Sequence, residues 1–169
     1  MSVMGSDNIR IKSRRVKKKD IGTDKINLII IKLKRKLKRS KIGVALSAVQ
    51  IGYPIRMFIV SGKIFPEKNK DMIFINPVIK YISKETSILD ESCLSIKNTC
   101  GKINRSKITT ITAYNQMGDK ITIEASGLLS QIFQHEMEHL NGYLFIDNLN
   151  KTSKCKVAKL MKKFTLKYK

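Results

Sequence analysis

Two histidines stand four residues apart in His135-Glu136-Met137-Glu138-His139, and the chain has no others. On an α-helix, residues four apart share a face, so both imidazoles can reach one cation. Glu136 lies one step round from His135, where its carboxylate can touch a water beside the cation without ligating the cation. That is the arrangement of a metal-assisted hydrolase, in which a cation lowers the pKa of water and a carboxylate carries the proton. The plain alternative, two core or surface histidines with no metal, must put both of the chain's histidines in one such motif by chance. Two imidazoles leave a catalytic site one protein ligand short. Downstream, Asp147 follows the apolar Leu144-Phe145-Ile146; upstream, Cys93 sits in Glu91-Ser92-Cys93-Leu94-Ser95, and Cys100 follows it. A thiolate beside two neutral imidazoles leaves a fourth position open for water. Spacing favours Cys93 over Cys100 only slightly, and a buried inert cysteine is the ordinary reading of either.

The helix that must present the histidines can be capped by Ser126, run to about Asn141 and stop at Gly142. Before it, residues 107–114 and 120–124 are rich in Ile and Thr, and Asn115 to Asp119 between them, with Gly118, predicts a hairpin. Residues 55–60 and 72–82 read as strands, the second broken or edged by Asn76-Pro77. From Asp24, Ile26, Ile29, Ile30, Leu33 and Leu37 form a stripe at helical spacing with Lys and Arg on the other face. A core-packed helix is the reading, a membrane-surface helix the lesser one. Residues 1–23 are polar and basic and are expected to be a loosely packed lead-in. A last basic helix is expected over 153–167, with Val157, Leu160, Met161 and Phe164 as its stripe. Strands and helices come in blocks rather than in alternation. This predicts one α+β domain over 1–169, its mostly antiparallel sheets packed around the His-Glu-x-x-His helix, with an N-terminal helix and a C-terminal basic helix.

The 34 Lys+Arg against 13 Asp+Glu give +21. An anionic partner such as RNA or the ribosome accounts for that charge. So does a genome rich in Lys, Ile and Asn codons, and the total does not choose between them. The apolar run Leu28-Ile29-Ile30-Ile31 is too short to span a bilayer, so a soluble protein is expected. Three cysteines (Cys93, Cys100, Cys155) are too few and too odd in number for a disulfide scaffold. The expected location is the cytoplasm, with an organelle matrix as the alternative because residues 9–19 are basic.

Three ordered motifs carry a family resemblance. Gly43-Val44-Ala45-Leu46-Ser47-Ala48-Val49-Gln50, Glu91-Ser92-Cys93-Leu94-Ser95 and Gln134 to Leu140 resemble the three motifs of peptide deformylases, at matching intervals. Asn76-Pro77 and Leu144-Phe145-Ile146-Asp147 are similar to family landmarks. The resemblance implies Cys93 as the third ligand beside His135 and His139. It also implies a reaction, removal of formyl from the N-terminal formyl-methionine of nascent polypeptides. It implies one divalent metal, Fe²⁺ in the cell, with Ni²⁺ or Co²⁺ able to replace it and Zn²⁺ less active; ligand type alone points to zinc. By the same resemblance Glu136 is general base and acid, while Gln50 and the N–H of Leu94 stabilise the oxyanion. Val44, Ala45, Leu89, Glu91, Leu128 and Ile132 fall at substrate-binding positions, with the peptide extended near residues 43–45. The implied partners are formyl-methionyl nascent peptides and, through the basic C-terminal helix, the ribosome. A monomer is expected.

The chain departs from the family pattern at several places. Ala45 replaces a glycine where substrate backbone approaches. Ser92 replaces a glycine and would be strained if that glycine needs positive φ. Glu138 replaces an Asp, Gln131 brings a polar group to an apolar pocket position, and Cys100 stands in place of a substrate-contacting Arg, for which Arg105 is a candidate substitute. Activity is expected, with altered peptide preference. Two other readings remain: a zinc peptidase on the same helix with a carboxylate third ligand, and a ribosome- or RNA-associated protein with a vestigial site.

Overall fold

The computed structural model describes residues 8–65, 70–96 and 99–149. The apolar stripe of the N-terminal segment forms helix α1 (Asp24–Lys38), and its buried residues are Ile26, Ile29, Ile30, Leu33 and Leu37. Each such side chain contributes about 1.5–3 kcal/mol on burial, so this face rather than helix propensity holds α1. Seven strands follow: β1 (Ala45–Ser47), β2 (Met57–Val60), β3 (Met72–Ile82), β4 (Thr86–Ser92), β5 (Cys100–Ser106), β6 (Ile108–Tyr114) and β7 (Lys120–Ser126). Helix α2 (Gly127–Asn141) follows β7 directly. The fold is α+β, with all of these strand pairings antiparallel.

The larger sheet runs β1-β2-β3-β6-β7, and β4 pairs with β5 apart from it. The larger sheet is covered on both faces. Met57 and Ile59 of β2 join the cluster under α1, whereas Phe58 and Val60 join the cluster that holds Ile132, Phe133, Met137 and Leu140 of α2. Period-two alternation sends neighbours to opposite faces, and both faces are apolar, so β2 reads as an unbroken hydrophobic run. Phe58 stacks on Phe74 at 4.7 Å between ring centroids, and Phe133 meets Phe74 edge-on at 5.3 Å, which seats α2 on the sheet. The expected hairpin joins β6 and β7. The Asn115 side-chain oxygen accepts from the N–H groups of Met117 and Asp119 in its turn.

Three expectations need revision. The lead-in is not loose over its described part. Ile9 is 1% exposed, and the Ser13 N–H donates to the Leu140 carbonyl at 2.9 Å. Asn76, with φ of 52°, accepts from the Val16 N–H and donates to the Val16 carbonyl through its side-chain amide, in place of a strand partner. Asn76-Pro77 does not end β3 but marks a register shift between Ile75 and Val78. The β4–β5 hairpin was not anticipated, because polar and charged residues interrupt both strands. The helix expected over 153–167 lies outside the described residues. Among the described residues, no helix is long and apolar enough to cross a membrane.

Candidate metal centre

Gly142 ends α2 in the left-handed conformation, φ 85°, with its N–H bonded to the His139 carbonyl, as expected for a glycine stop. The other end differs from expectation. Ser126 occupies the cap position but makes no side-chain cap bond. It is still the last residue of β7, and the chain turns into the helix through Gly127 at φ 55°. The helix thus starts from a strand end, which fixes its direction over the sheet.

This placement brings His135 and His139 to Cys93, one residue beyond β4. Cys93 Sγ and one nitrogen from each histidine all lie within 4.8 Å of one another. Cys93 Sγ is 3.1 Å from His139 Nε2. Tetrahedral bonds of about 2.3 Å to sulfur and 2.0–2.1 Å to nitrogen put the two donors about 3.5 Å apart, so a small opening of this triad accommodates a cation. The protonation of His139 agrees with that fit. Burial and the nearby His135 lower the His139 pKa to about 3, so this ring is the neutral form that ligates. Burial also acts to lower the His135 pKa, yet the Cys93 sulfur and Glu91 raise it well above the usual value. The pocket therefore favours positive charge between the sulfur and the rings. The Nδ1 of His139 is buried without a hydrogen-bond partner among the described residues.

Behind the triad lies a buried network. Glu91 Oε1 is 2.6 Å from His135 Nδ1, which leaves Nε2 as the nitrogen of His135 that can ligate. Arg105 donates to both Glu91 oxygens, at 2.9 and 2.6 Å, and to both Glu138 oxygens, at 2.5 and 2.8 Å. Gln131 Nε2 donates to Glu91 Oε2 at 3.1 Å and to the Asp90 carbonyl at 3.0 Å. Burial pushes the Glu91 carboxyl up, but the bonds and charges of His135 and Arg105 outweigh it and hold the pKa at about 2. Arg105 is raised above its ordinary value by its two carboxylates, against the effect of burial. Glu91, expected beside substrate, lines the cleft but spends its carboxylate on this network.

On the other side of the triad, Glu136 is 3% exposed, and burial raises its pKa. The Ser47 hydroxyl donates to Glu136 Oε2. Gln50 Oε1 accepts from the Ser47 N–H at 2.7 Å, and Gln50 Nε2 donates to Ser95 Oγ at 2.9 Å while lying 3.5 Å from Cys93 Sγ. Ser47 thus links the two groups expected to act on substrate. Its contact with Glu136 spans 89 residues, so motif spacing does not reveal it.

A cleft opens on these groups. Val44, Ala45, Leu94, Leu128 and Ile132 line it together with Gln50, Cys93, His135 and Glu136. Leu89 does not; it faces a second cavity with Tyr81, Arg105 and Gly127. By strand alternation it shares a face of β4 with Glu91, opposite Ile103 of β5, and it stands two residues further along the hairpin from the metal ligands than Glu91 does. Among the departures from the family pattern, Ser92 is free of positive-φ strain, Asn76 being the only non-glycine with positive φ among the described residues. Arg105 does not reach the cleft as a substitute substrate contact, because Glu91 and Glu138 hold it, and Cys100 is 1% exposed. Gln131 lines the cleft with its amide already bonded. Asp147, the carboxylate alternative for a third ligand, is paired with Arg10 at 2.8 Å.

Comparison with known proteins agrees with this geometry. A family model described as polypeptide deformylase matches residues 1–155. The peptide deformylase of Bartonella henselae is 39% identical over 121 residues, spanning 72% of this chain and 69% of that one. The crystal structure of the Thermotoga maritima peptide deformylase superposes with a TM-score of 0.78 at 30% identity, covering 89% of this chain and 96% of that one. A Plasmodium falciparum peptide deformylase structure gives a TM-score of 0.78 at 32% identity, covering 96% and 91%. On this match across most of its length, the chain belongs to the polypeptide deformylase family of enzymes.

Proposed function

We propose that this chain removes the formyl group from the N-terminal formyl-methionine of nascent polypeptides, at a centre held by Cys93, His135 and His139. The observation that carries the reading is the convergence of those three donors at the foot of a cleft that Glu136 and Gln50 also line. A divalent cation held by these three residues, Fe²⁺ in the cell, would lower the pKa of water at the site and so supply a nucleophile at neutral pH. Glu136 takes the proton of that water and passes it to the leaving amine. Its raised pKa suits both halves of the task. The Ser47 hydroxyl holds one oxygen of Glu136 and so orients the other. Gln50 and the Leu94 N–H donate to the formyl oxygen as charge builds on it. An amide nitrogen carries two hydrogens; Gln50 gives one to Ser95 Oγ and the other to the Cys93 sulfur, and the weaker bond to sulfur is the one a formyl oxygen would replace. Val44, Leu128 and Ile132 give the methionine side chain an apolar wall, and the peptide extends along residues 43–45 beside β1.

The test is anaerobic purification, determination of bound metal, and measurement of formate release from formyl-Met-Ala-Ser. Formate released with iron, nickel or cobalt bound, and lost in Cys93→Ala together with the metal, is the expected result. A metal-loaded protein that releases no formate overturns the proposal. A Cys93→Ala protein that keeps its metal and cleaves internal peptide bonds indicates the peptidase instead.

A further inference from the structure

The positive charge is segregated along the chain. Residues 1–41 hold 15 Lys+Arg and 3 Asp+Glu, a net +12; residues 42–149 hold 11 and 10, a net +1; residues 150–169 hold eight lysines and no acid, a net +8. Together these give the +21 of the whole. Codon bias toward lysine acts on every segment, and the central 108 residues carry nine Lys against two Arg, but ten acids offset them there, whereas three acids offset the cations of residues 1–41 and none those of 150–169. The unbalanced charge is therefore confined to the two flanks, and the described part of it sits on α1 and the segment before it.

Lys25, Lys32, Arg35 and Lys38 of α1 and Arg39 at its C-cap are exposed, as are Lys12, Arg14, Arg15, Lys17, Lys18 and Lys19 ahead of it. Both segments cover one core cluster, in which Val16 packs with Ile26, Ile29, Ile30 and Leu33. Among the described residues, the Lys and Arg ion pairs are Arg10–Asp147, Arg105 with Glu91 and Glu138, and Lys107–Glu85; none involves α1 or residues 12–19. Lys32 with Lys36, Lys34 with Lys38 and Arg35 with Arg39 repeat like charge four residues apart, an arrangement that opposes the helix rather than supporting it. The helix dipole compensates only the cations of the last turn. What remains is a cationic face whose counter-charge comes from outside the described fold.

The geometry points to the phosphate backbone of structured RNA as that counter-charge, docked on α1 and residues 12–19. A membrane surface fits less well. A helix lying on lipid needs its apolar face for the acyl boundary, and α1 has committed that face to the core, with only Leu28 and Ile31 exposed. Phosphates ask only for cations in a row. The choice of RNA over other polyphosphates rests on the nascent-chain reading of the active site, since nascent chains emerge among folded RNA. The surface also adjoins the cleft: Lys41, two residues past Arg39, directly precedes Ile42 and Gly43, which line it.

The experiment titrates the full-length chain against a fluorescently labelled RNA hairpin at salt from about 50 to 200 mM, a range over which phosphate contacts declare themselves. The variant carries Lys25→Gln, Arg35→Gln, Lys38→Gln and Arg39→Gln, leaving residues 150–169 and the active site intact. A second carries the charge-conserving Lys25→Arg, Arg35→Lys, Lys38→Arg and Arg39→Lys. The glutamine variant should lose about tenfold or more in affinity, and its slope of log affinity against log salt should flatten by about 3, at roughly 0.7–0.9 per contact. The charge-conserving variant should bind as the parent does, and formate release should be unchanged in both. Glutamine and parent proteins with the same affinity and slope overturn the proposal. So does a loss of binding to phosphatidylserine vesicles with RNA binding retained, and so does failure of the charge-conserving variant to bind. Formate release is measured on the same samples, so an inactive parent refutes the deformylase reading while the RNA titration stands by itself.

Discussion

Replacing Glu91 with Gln removes a charge from the hub behind the metal ligands while keeping its shape. The Glu91 carboxyl is held at about 2, so it is ionised at any working pH and the substitution deletes a full negative charge. Two effects follow. His135 Nδ1 loses a charged acceptor at 2.6 Å and keeps at best a neutral one. Loss of such a partner behind a ligating imidazole weakens metal binding by about 10–100-fold, or roughly 1.4–2.7 kcal/mol. Arg105, 4% exposed, loses one of its two carboxylates. Stripping a buried ion of its only partner costs about 3–5 kcal/mol. Glu138 remains on Arg105 at 2.5 and 2.8 Å, so the cost here falls to about 1–3 kcal/mol, that of a lost charged hydrogen bond. The assays are competition for cobalt against a chromogenic chelator at neutral pH, and urea unfolding of the metal-free protein. Glu138→Gln is the control, since its carboxylate bonds Arg105 and Asn148 and neither histidine. It should cost stability and leave cobalt affinity within about threefold of the parent. A Glu91→Gln protein with the parent's cobalt affinity refutes the claim that this carboxylate holds His135 in its ligating pose.

Gln50→Ala should lower kcat by about 10²–10³ with metal content unchanged, as expected for a lost oxyanion donor; a loss of metal instead would make Gln50 part of the metal's support. Gly142→Ala should destabilise the protein by about 1–3 kcal/mol in urea unfolding, because its φ is 85° and a Cβ would lie 2.4 Å from the Arg10 carbonyl oxygen. Wild-type stability would show that the Arg10 backbone shifts freely. Hydrogen bonds from Arg10 hold the Asp147 carboxyl below its ordinary pKa of 3.8, outweighing a small effect of burial. The folded-state pKa being depressed, the associated stability is present above the ordinary carboxylate range and is lost as pH falls through it. The pair is partly exposed, at 42% and 32%, so the effect is under about 1 kcal/mol. Asp147→Asn should flatten the acid limb of unfolding measured between about pH 5 and 3, and an unchanged limb would show the pair to be without weight.

The amino-acid sequence alone determined what depends on near neighbours. The α1 stripe was legible because helical period three and four contacts are local, and all five stripe residues are buried. The β6–β7 hairpin was legible from Asn115 to Asp119 because a turn is a local choice. The pairing of His135 with His139 followed from helix pitch, and the ordered motifs placed Cys93, Gln50 and Glu136 beside them. Tertiary structure alone decided what depends on distant partners. Glu91 reaches His135 across 44 residues, Arg105 joins Glu138 across 33, and Ser47 meets Glu136 across 89. The polar lead-in is tied to the fold, with Ile9, Ser13 and Val16 buried, because Asn76, 60 residues on, satisfies both backbone groups of Val16. Leu89 falls in the second cavity rather than the cleft because the pairing of β4 with β5 sets which neighbours lie beside it. Such contacts leave no periodic trace in the chain, since the residues that make them are brought together only when both layers close on the sheet.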